Sequence, residues 1–194
     1  DPLRRWPREL HAQLLRRLHT AGARAVVFDI IFDTAGENPA ADEAFAAALR
    51  ENGRVILAAE HNDKVTHATA EDQVWTRTTS FRPPYEPFAQ AAAGWGVASL
   101  AIDDDLAVRC FLAGFTDDPK PTLAWATASF LHLALTQTAS AMRTANGQWI
   151  HYYGPSLAIP HVSFNEALDP LGPPDDFFRD KIVHANDDLI FRFD

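Results

Sequence analysis

Asp29 stands inside the apolar run Ala25, Val26, Val27, Phe28, Asp29, Ile30, Ile31, Phe32. An ionised carboxylate in a segment otherwise fit for burial is costly unless donors or a cation satisfy it. Such a group is either a structural acid held by backbone N–H groups or a functional one, acting as base, nucleophile or ligand-binding carboxylate. A second acidic group, Asp103, Asp104 and Asp105, comes shortly before Arg109. Closely spaced carboxylates supply the oxygens that calcium or magnesium prefer, but this run lacks the glycine and the closing glutamate of a calcium loop. Asp is also favoured in tight turns for its local backbone hydrogen bonds, which makes a solvated hairpin turn the simpler reading. Arg109 is predicted to pair with Asp105 or with Asp29. We expect Asp29, Asp103, Asp105 and Arg109 to form one polar cluster, ligand-binding or structural, that holds a hairpin against the central strand at one end of a sheet.

The remaining chemistry-bearing residues point to less. None of the eight histidines forms a close pair with Cys or a carboxylate at zinc-ligand spacing, so no metal and no cofactor are expected. His61 and His67 flank a polar stretch, where they either join a ligand pocket or sit exposed on a loop. The one cysteine, Cys110, permits no internal disulfide and reads as an inert thiol within a strand. No glycine-rich phosphate cradle follows the run at Ala25, where Gly36 is isolated, and no nucleophile elbow occurs. Trp149, Tyr152 and Tyr153, just before Gly154 and Pro155, either stack on a ligand or fill a core.

These residues need elements to carry them. At 194 residues and 47% hydrophobic content, the chain is read as one domain, 1–194, with enough apolar material for a proper core. A net charge of −9 leaves no basic face for nucleic acid. No stretch approaches the ~20 apolar residues of a membrane span, and residues 1–8 lack the form of a signal peptide. Leu10, Leu14, Leu15 and Leu18 recur at helical spacing after Trp6, Pro7 and Arg8, and Gly22 stops that helix. A strand over 25–32, a helix over 42–51 and a strand over 54–59 follow as a crossover unit on a largely parallel sheet. The stretch 60–84, with Thr66, Thr69, Thr76, Thr78 and Thr79 among charges, is read as an exposed excursion. A short helix over 87–93 and strands over 94–100 and 107–115 come next, the two strands forming an antiparallel hairpin appended to the sheet around the acidic turn. Thr122 is predicted to cap a helix over 123–135, apolar nearly all round and therefore buried between layers. A strand over 149–153, a short helix over 163–168 and a last strand beginning at Lys181 complete the pattern. The fold class is α/β, with a mixed, mainly parallel sheet flanked by helices and an antiparallel hairpin.

Taken in order, the landmarks resemble one family. Trp6, Pro7 and Arg8 before a helix, then Gly22, Ala23, Val27, Phe28, Asp29, Ile30, Ile31 and Phe32 open the match. Asp42, Gly53, the run Val55, Ile56, Leu57, Ala58, then Gly96, Val97, Asp103, Asp105 and Arg109 continue it. Tyr153, Gly154, Pro155, Ser163, Lys181, Ile182 and Val183 close it. Together they resemble the CHASE type 2 family, the sensory extracellular domains associated with cyclases and histidine kinases, over nearly the whole chain. Two departures stand out. Leu106 occupies the place where family members usually carry glycine after the acidic turn, and His184, Ala185 and Asn186 replace the glycine usual after Lys181, Ile182 and Val183. The triplet resembles a motif that the family places further on, so a segment is expected to be missing between Val183 and His184, and the strand expected before Trp6 to be absent or shortened.

The resemblance implies a bacterial, extracytoplasmic (periplasmic or extracellular) sensory domain and not an enzyme. It implies a parent anchored in the cell membrane by helices absent here, which passes a small-molecule or protein signal to an adenylate or guanylate cyclase or a kinase on the cytoplasmic side. A homodimer is the expected assembly, and no nucleic acid is expected as partner. Two rivals stay open. One is a soluble hydrolase or transferase using Asp29 with an acidic partner from residues 103–105, which requires a closed pocket holding both carboxylates. The other is a structural dimerisation module joined around Trp95 or Trp149.

Overall fold

Residues 6–67, 75–115, 120–138, 140–155, 158–186 and 188–194 are described by the computed structural model, with the backbone alone described at 63–67 and 75–78. The first helix, α1 (Arg8–Thr20), buries Leu14, Leu15 and Leu18, the stripe that a 3.6-residue period presents to one side. The strand β1 (Ala25–Ile31) follows, and then α2 (Pro39–Asn52). That helix begins a turn earlier than its apolar positions suggest, because the Asn38 side chain accepts from the Ala40 N–H at 3.1 Å and Pro39 supplies a preset first-turn φ. It ends at Gly53, whose φ of 67° is the left-handed conformation that glycine adopts without penalty.

The main sheet is built outward from β1. On one side β1 pairs in parallel with β2 (Val55–His67), which pairs in parallel with β4 (Gly94–Val97). On the other side β1 pairs in parallel with β8 (Ile182–Ala185), and β9 (Leu189–Phe193) and β7 (His161–Ser163) continue the sheet antiparallel. The sheet is therefore mixed and largely parallel at its centre, with helices on both faces. Val183 and His184 are consecutive rungs of β8 on β1, so the junction expected between them falls inside an unbroken strand.

Four expectations are corrected. The stretch after Ala59 is no loop: Glu60 to His67 of β2 pairs in register with β3 (Trp75–Arg82), from Glu60↔Arg82 to His67↔Trp75. The two segments mix threonines and charges along the sequence without a period of two, so they leave no apolar alternation to read. Thr69 lies outside the described residues. The hairpin of β5 (Ala101–Ile102) and β6 (Val108–Cys110) forms its own two-stranded sheet instead of extending the main one. The helix after Thr122, α4 (Leu123–Phe130), is five residues shorter than expected and ends at Leu131, after which His132 adopts a left-handed φ of 54°; it is buried between layers as expected, with Leu123 against the sheet and Trp125 on the opposite side against Ala113, Ala141 and Ala145. The predicted strand over 149–153 is reduced to one bridge between Cys110 and Trp149. The short helices α3 (Glu86–Ala91), α5 (Ala141–Ala145) and α6 (Phe164–Leu168) complete the fold, the last with a capping box made by Ser163 and Glu166.

The larger core lies on the sheet face that carries Val26, Phe28, Leu57, Val183 and Ile190, against α1, α2, α3 and α6. His11 sits at its centre, 2% exposed, with ring centroids 5.2 to 5.9 Å from Phe28, Phe32, Phe45 and Phe164. Its Nδ1 is buried without a hydrogen-bond partner. Burial, assisted by the nearby Arg8 guanidinium, pushes His11 from 6.5 down to about 3. The folded state therefore holds a neutral imidazole, while the unfolded chain takes up a proton below 6.5. The stability that this neutral ring contributes is complete above pH 6.5 and is lost as pH falls toward about 3. At pH 5 the loss is about 2 kcal/mol relative to neutral pH. Denaturant titrations of wild type and His11→Leu at both pH values check this, the variant being expected to lack that share of the acid sensitivity.

Candidate functional site

The second face of the sheet is covered only in part. Strand alternation sends Val27 and Asp29 of β1 to this side, with Ile182 and His184 of β8 beside them in the register Ala25↔Ile182 and Val27↔His184. Helix α4 lies over part of that surface, where Leu123 closes a small cluster with Val27, Ile56 and Ala58. Two features fix its position. The Thr122 hydroxyl donates to the carbonyls of Leu112, at 2.7 Å, and Ala113, at 3.2 Å, and its oxygen accepts from the Trp125 N–H at 3.4 Å. Gly96 of β4 lets the helix start approach: a Cβ there would lie 2.5 Å from the Thr122 carbonyl oxygen, so only glycine fits.

Between the sheet, α4 and the β5–β6 hairpin lies a cavity of about 930 Å³. That is the upper range of small-molecule sites. Its walls are apolar, including Val97, Leu112, Leu123, Ala128 and Ile150, with Ile102 and Cys110 contributed by the hairpin. Most of its polar side chains are occupied locally. Thr122 is tied as described, Thr127 donates to the Leu123 carbonyl at 2.9 Å, and His61 Nδ1 lies 3.1 Å from the Ser99 hydroxyl. Among the described residues, no Lys, Arg or Glu lines the space.

Asp29 is the exception. Between Phe28 and Ile31 the pairing with β2 slips, so that β1 advances from Phe28↔Leu57 to Ile31↔Ala58 and Asp29 with Ile30 bulges out of the ladder. Bulges of this kind re-aim side chains beside sites. The burial expected for this carboxylate is not found: its side chain is 44% exposed, because α4 covers Val27 but stops short of the next residue on that face. Nor does it meet Arg109. Its ionisable neighbour is His184, whose Nε2 lies 3.7 Å from Oδ2, beyond hydrogen-bond reach. Burial holds His184 below its ordinary value despite the opposing pull of Asp29, so at neutral pH the ring is uncharged.

The other three members of the predicted cluster are brought together at the hairpin. Arg109 donates to Asp105 through both terminal nitrogens, at 2.6 and 2.8 Å, and to Asp103 at 2.8 Å. This bidentate arrangement holds Asp105 below the usual carboxylate range and Arg109 above the usual guanidinium one. Asp103 and Asp105 are thus taken by Arg109, and no group of metal ligands occurs among the described residues. The cavity includes Asp29 but none of Asp103, Asp104 and Asp105, so the pocket with two carboxylates that a hydrolase reading required is not formed. Cys110 is half-buried and faces the cavity rather than a core. Trp149, Tyr152 and Tyr153 are 65 to 85% exposed and fill no core. His61 joins the cavity as one of its two readings had it, while the side chain of His67 lies outside the described residues. The contributions of Ser99, Thr127 and His184 went unread, though the two-residue spacing of Ile182 and His184 beside Val27 and Asp29 was the available signal.

A family model for the CHASE2 domain matches residues 3–184. The chain belongs to the CHASE2 family. Its members are sensory extracellular domains. No curated protein and no solved structure matches the chain. The anchoring of α4 carries a consequence for this site. Thr122→Val removes the hydroxyl of a residue only 2% exposed and takes the donor from the Leu112 carbonyl, while the Ala113 carbonyl keeps the Thr122 N–H at 2.8 Å, so it is expected to cost about 1–3 kcal/mol and to speed amide exchange in α4 more than in α1. Denaturant unfolding and hydrogen-exchange mass spectrometry measure the two effects.

Proposed function

We propose that this CHASE2 domain is the extracytoplasmic input module of a bacterial membrane signalling protein, and that the cavity beneath α4 receives its signal. The cavity carries the reading: about 930 Å³ of mostly apolar space, walled by a short helix and a separate hairpin instead of by the sealed core. A ligand seated there gains most in the arrangement of α4 and hairpin that fits it best, and its differential affinity sets how far the population moves. The parent chain would carry the membrane helices and a cytoplasmic cyclase or kinase that reads the shift. A homodimer is part of the proposal, with exposed Trp149, Tyr152 and Tyr153 as candidate contact surface, since clustered exposed aromatics favour association.

Two measurements test the reading. An alkaline-phosphatase reporter fused after the domain in its natural parent is expected to be active, which requires an extracytoplasmic location; inactivity overturns that placement. Ala128→Trp, which fills the cavity from α4, is expected to keep the melting transition while making effector output insensitive to stimulus. Output that responds normally with the space filled would remove the cavity from the signalling route.

A further inference from the structure

We infer that the cavity beneath α4 recognises a small organic cation, an apolar body carrying one protonated amine whose charge is met by Asp29. This rests on the reading that the cavity is the ligand site, and it adds the chemical class. The argument is one of charge and shape together. The lining is hydrocarbon over most of its extent, which selects a ligand with an apolar body. Within that lining Asp29 is the one carboxylate, and among the described residues no Lys or Arg pairs with it. On the hairpin, outside the lining, the carboxylates of Asp103 and Asp105 are already answered by Arg109. His184, the neighbour that might have neutralised Asp29 from within, is kept uncharged by burial.

A carboxylate at the wall of an apolar space, left without an internal cation, favours a ligand that brings one. Closing a ligand over it lowers the local dielectric and strengthens the pairing. Phe193, which lines the same space, adds an aromatic surface suited to an ammonium group. An anionic ligand of the same shape meets repulsion from Asp29 and finds no basic residue on the lining. Discrimination by charge is therefore built into the site, whereas the length and branching of the apolar body are loosely specified by its wide walls.

The test uses three matched probes on the folded chain at neutral pH: phenylbutylamine, phenylbutanol and phenylbutyrate, each titrated by calorimetry. The expected order is amine tighter than alcohol by about tenfold, with the acid weaker than both. Asp29→Asn is expected to bring the amine down to the alcohol. Because a protein of net charge −9 attracts any cation, Asp105→Asn serves as the control that removes the same charge away from the cavity, and it should keep the preference. An amine preference that survives Asp29→Asn, or falls equally in Asp105→Asn, overturns the assignment to Asp29. Equal binding of amine and alcohol by the wild type overturns the charge inference while leaving the cavity as a ligand site. Binding of none of the three overturns both.

Discussion

The Thr122 hydroxyl, tied to two carbonyls of the segment after the hairpin, sets where α4 lies, and with it the shape of the sheet's second face. Gly96 makes the approach sterically possible, and the hydroxyl makes it specific. From that anchor the helix reaches only as far as Phe130, too short to cover the strands on the far side of β1. The cavity, the exposure of Asp29 and the half-buried state of His184 all follow from that shortfall. A longer helix would have closed the face into a second core.

The two faces of the sheet thus hold opposite solutions. On one, even a histidine is enclosed by four phenylalanines and kept neutral at the cost of an unpaired nitrogen. On the other, polar side chains are tied to nearby groups, and an open volume is retained with a single carboxylate on its wall. The hairpin has its own electrostatic balance in the fork of Arg109 on Asp103 and Asp105, so it stands beside the cavity without drawing on Asp29. Stability comes mainly from the first face, which leaves the second freer to respond to what binds there.

Much of this architecture was legible because it is written in periodicity. The leucines of α1, the β-branched run of β1 and the Gly53 stop each give one answer at each level. What stayed hidden was of another kind. The segments that pair as β2 and β3 mix threonines and charges without a period of two, so no alternation marks them. The end of α4 depends on the left-handed turn at His132, a conformation uncommon for any residue but glycine and so a weak stop signal in the sequence. Asp29 drew notice as a carboxylate in an apolar strand, but neither its exposure nor its neighbour was legible: Arg109 was assigned by charge alone, whereas register puts His184 across from Val27 and next to the bulge. Strand order is a long-range fact, and local sequence does not contain it.

One strand serves two neighbourhoods. The first residues of β2 lie between β1 and β4 in the sheet, and the same strand runs on into the ribbon with β3. From Glu60 to His67 that extension measures about 25 Å. His61, where the two parts join, touches the cavity and stacks on Phe81 of the ribbon. A small tilt at this fulcrum would be amplified along the arm, its far rung His67↔Trp75 travelling farther than the pivot that drives it.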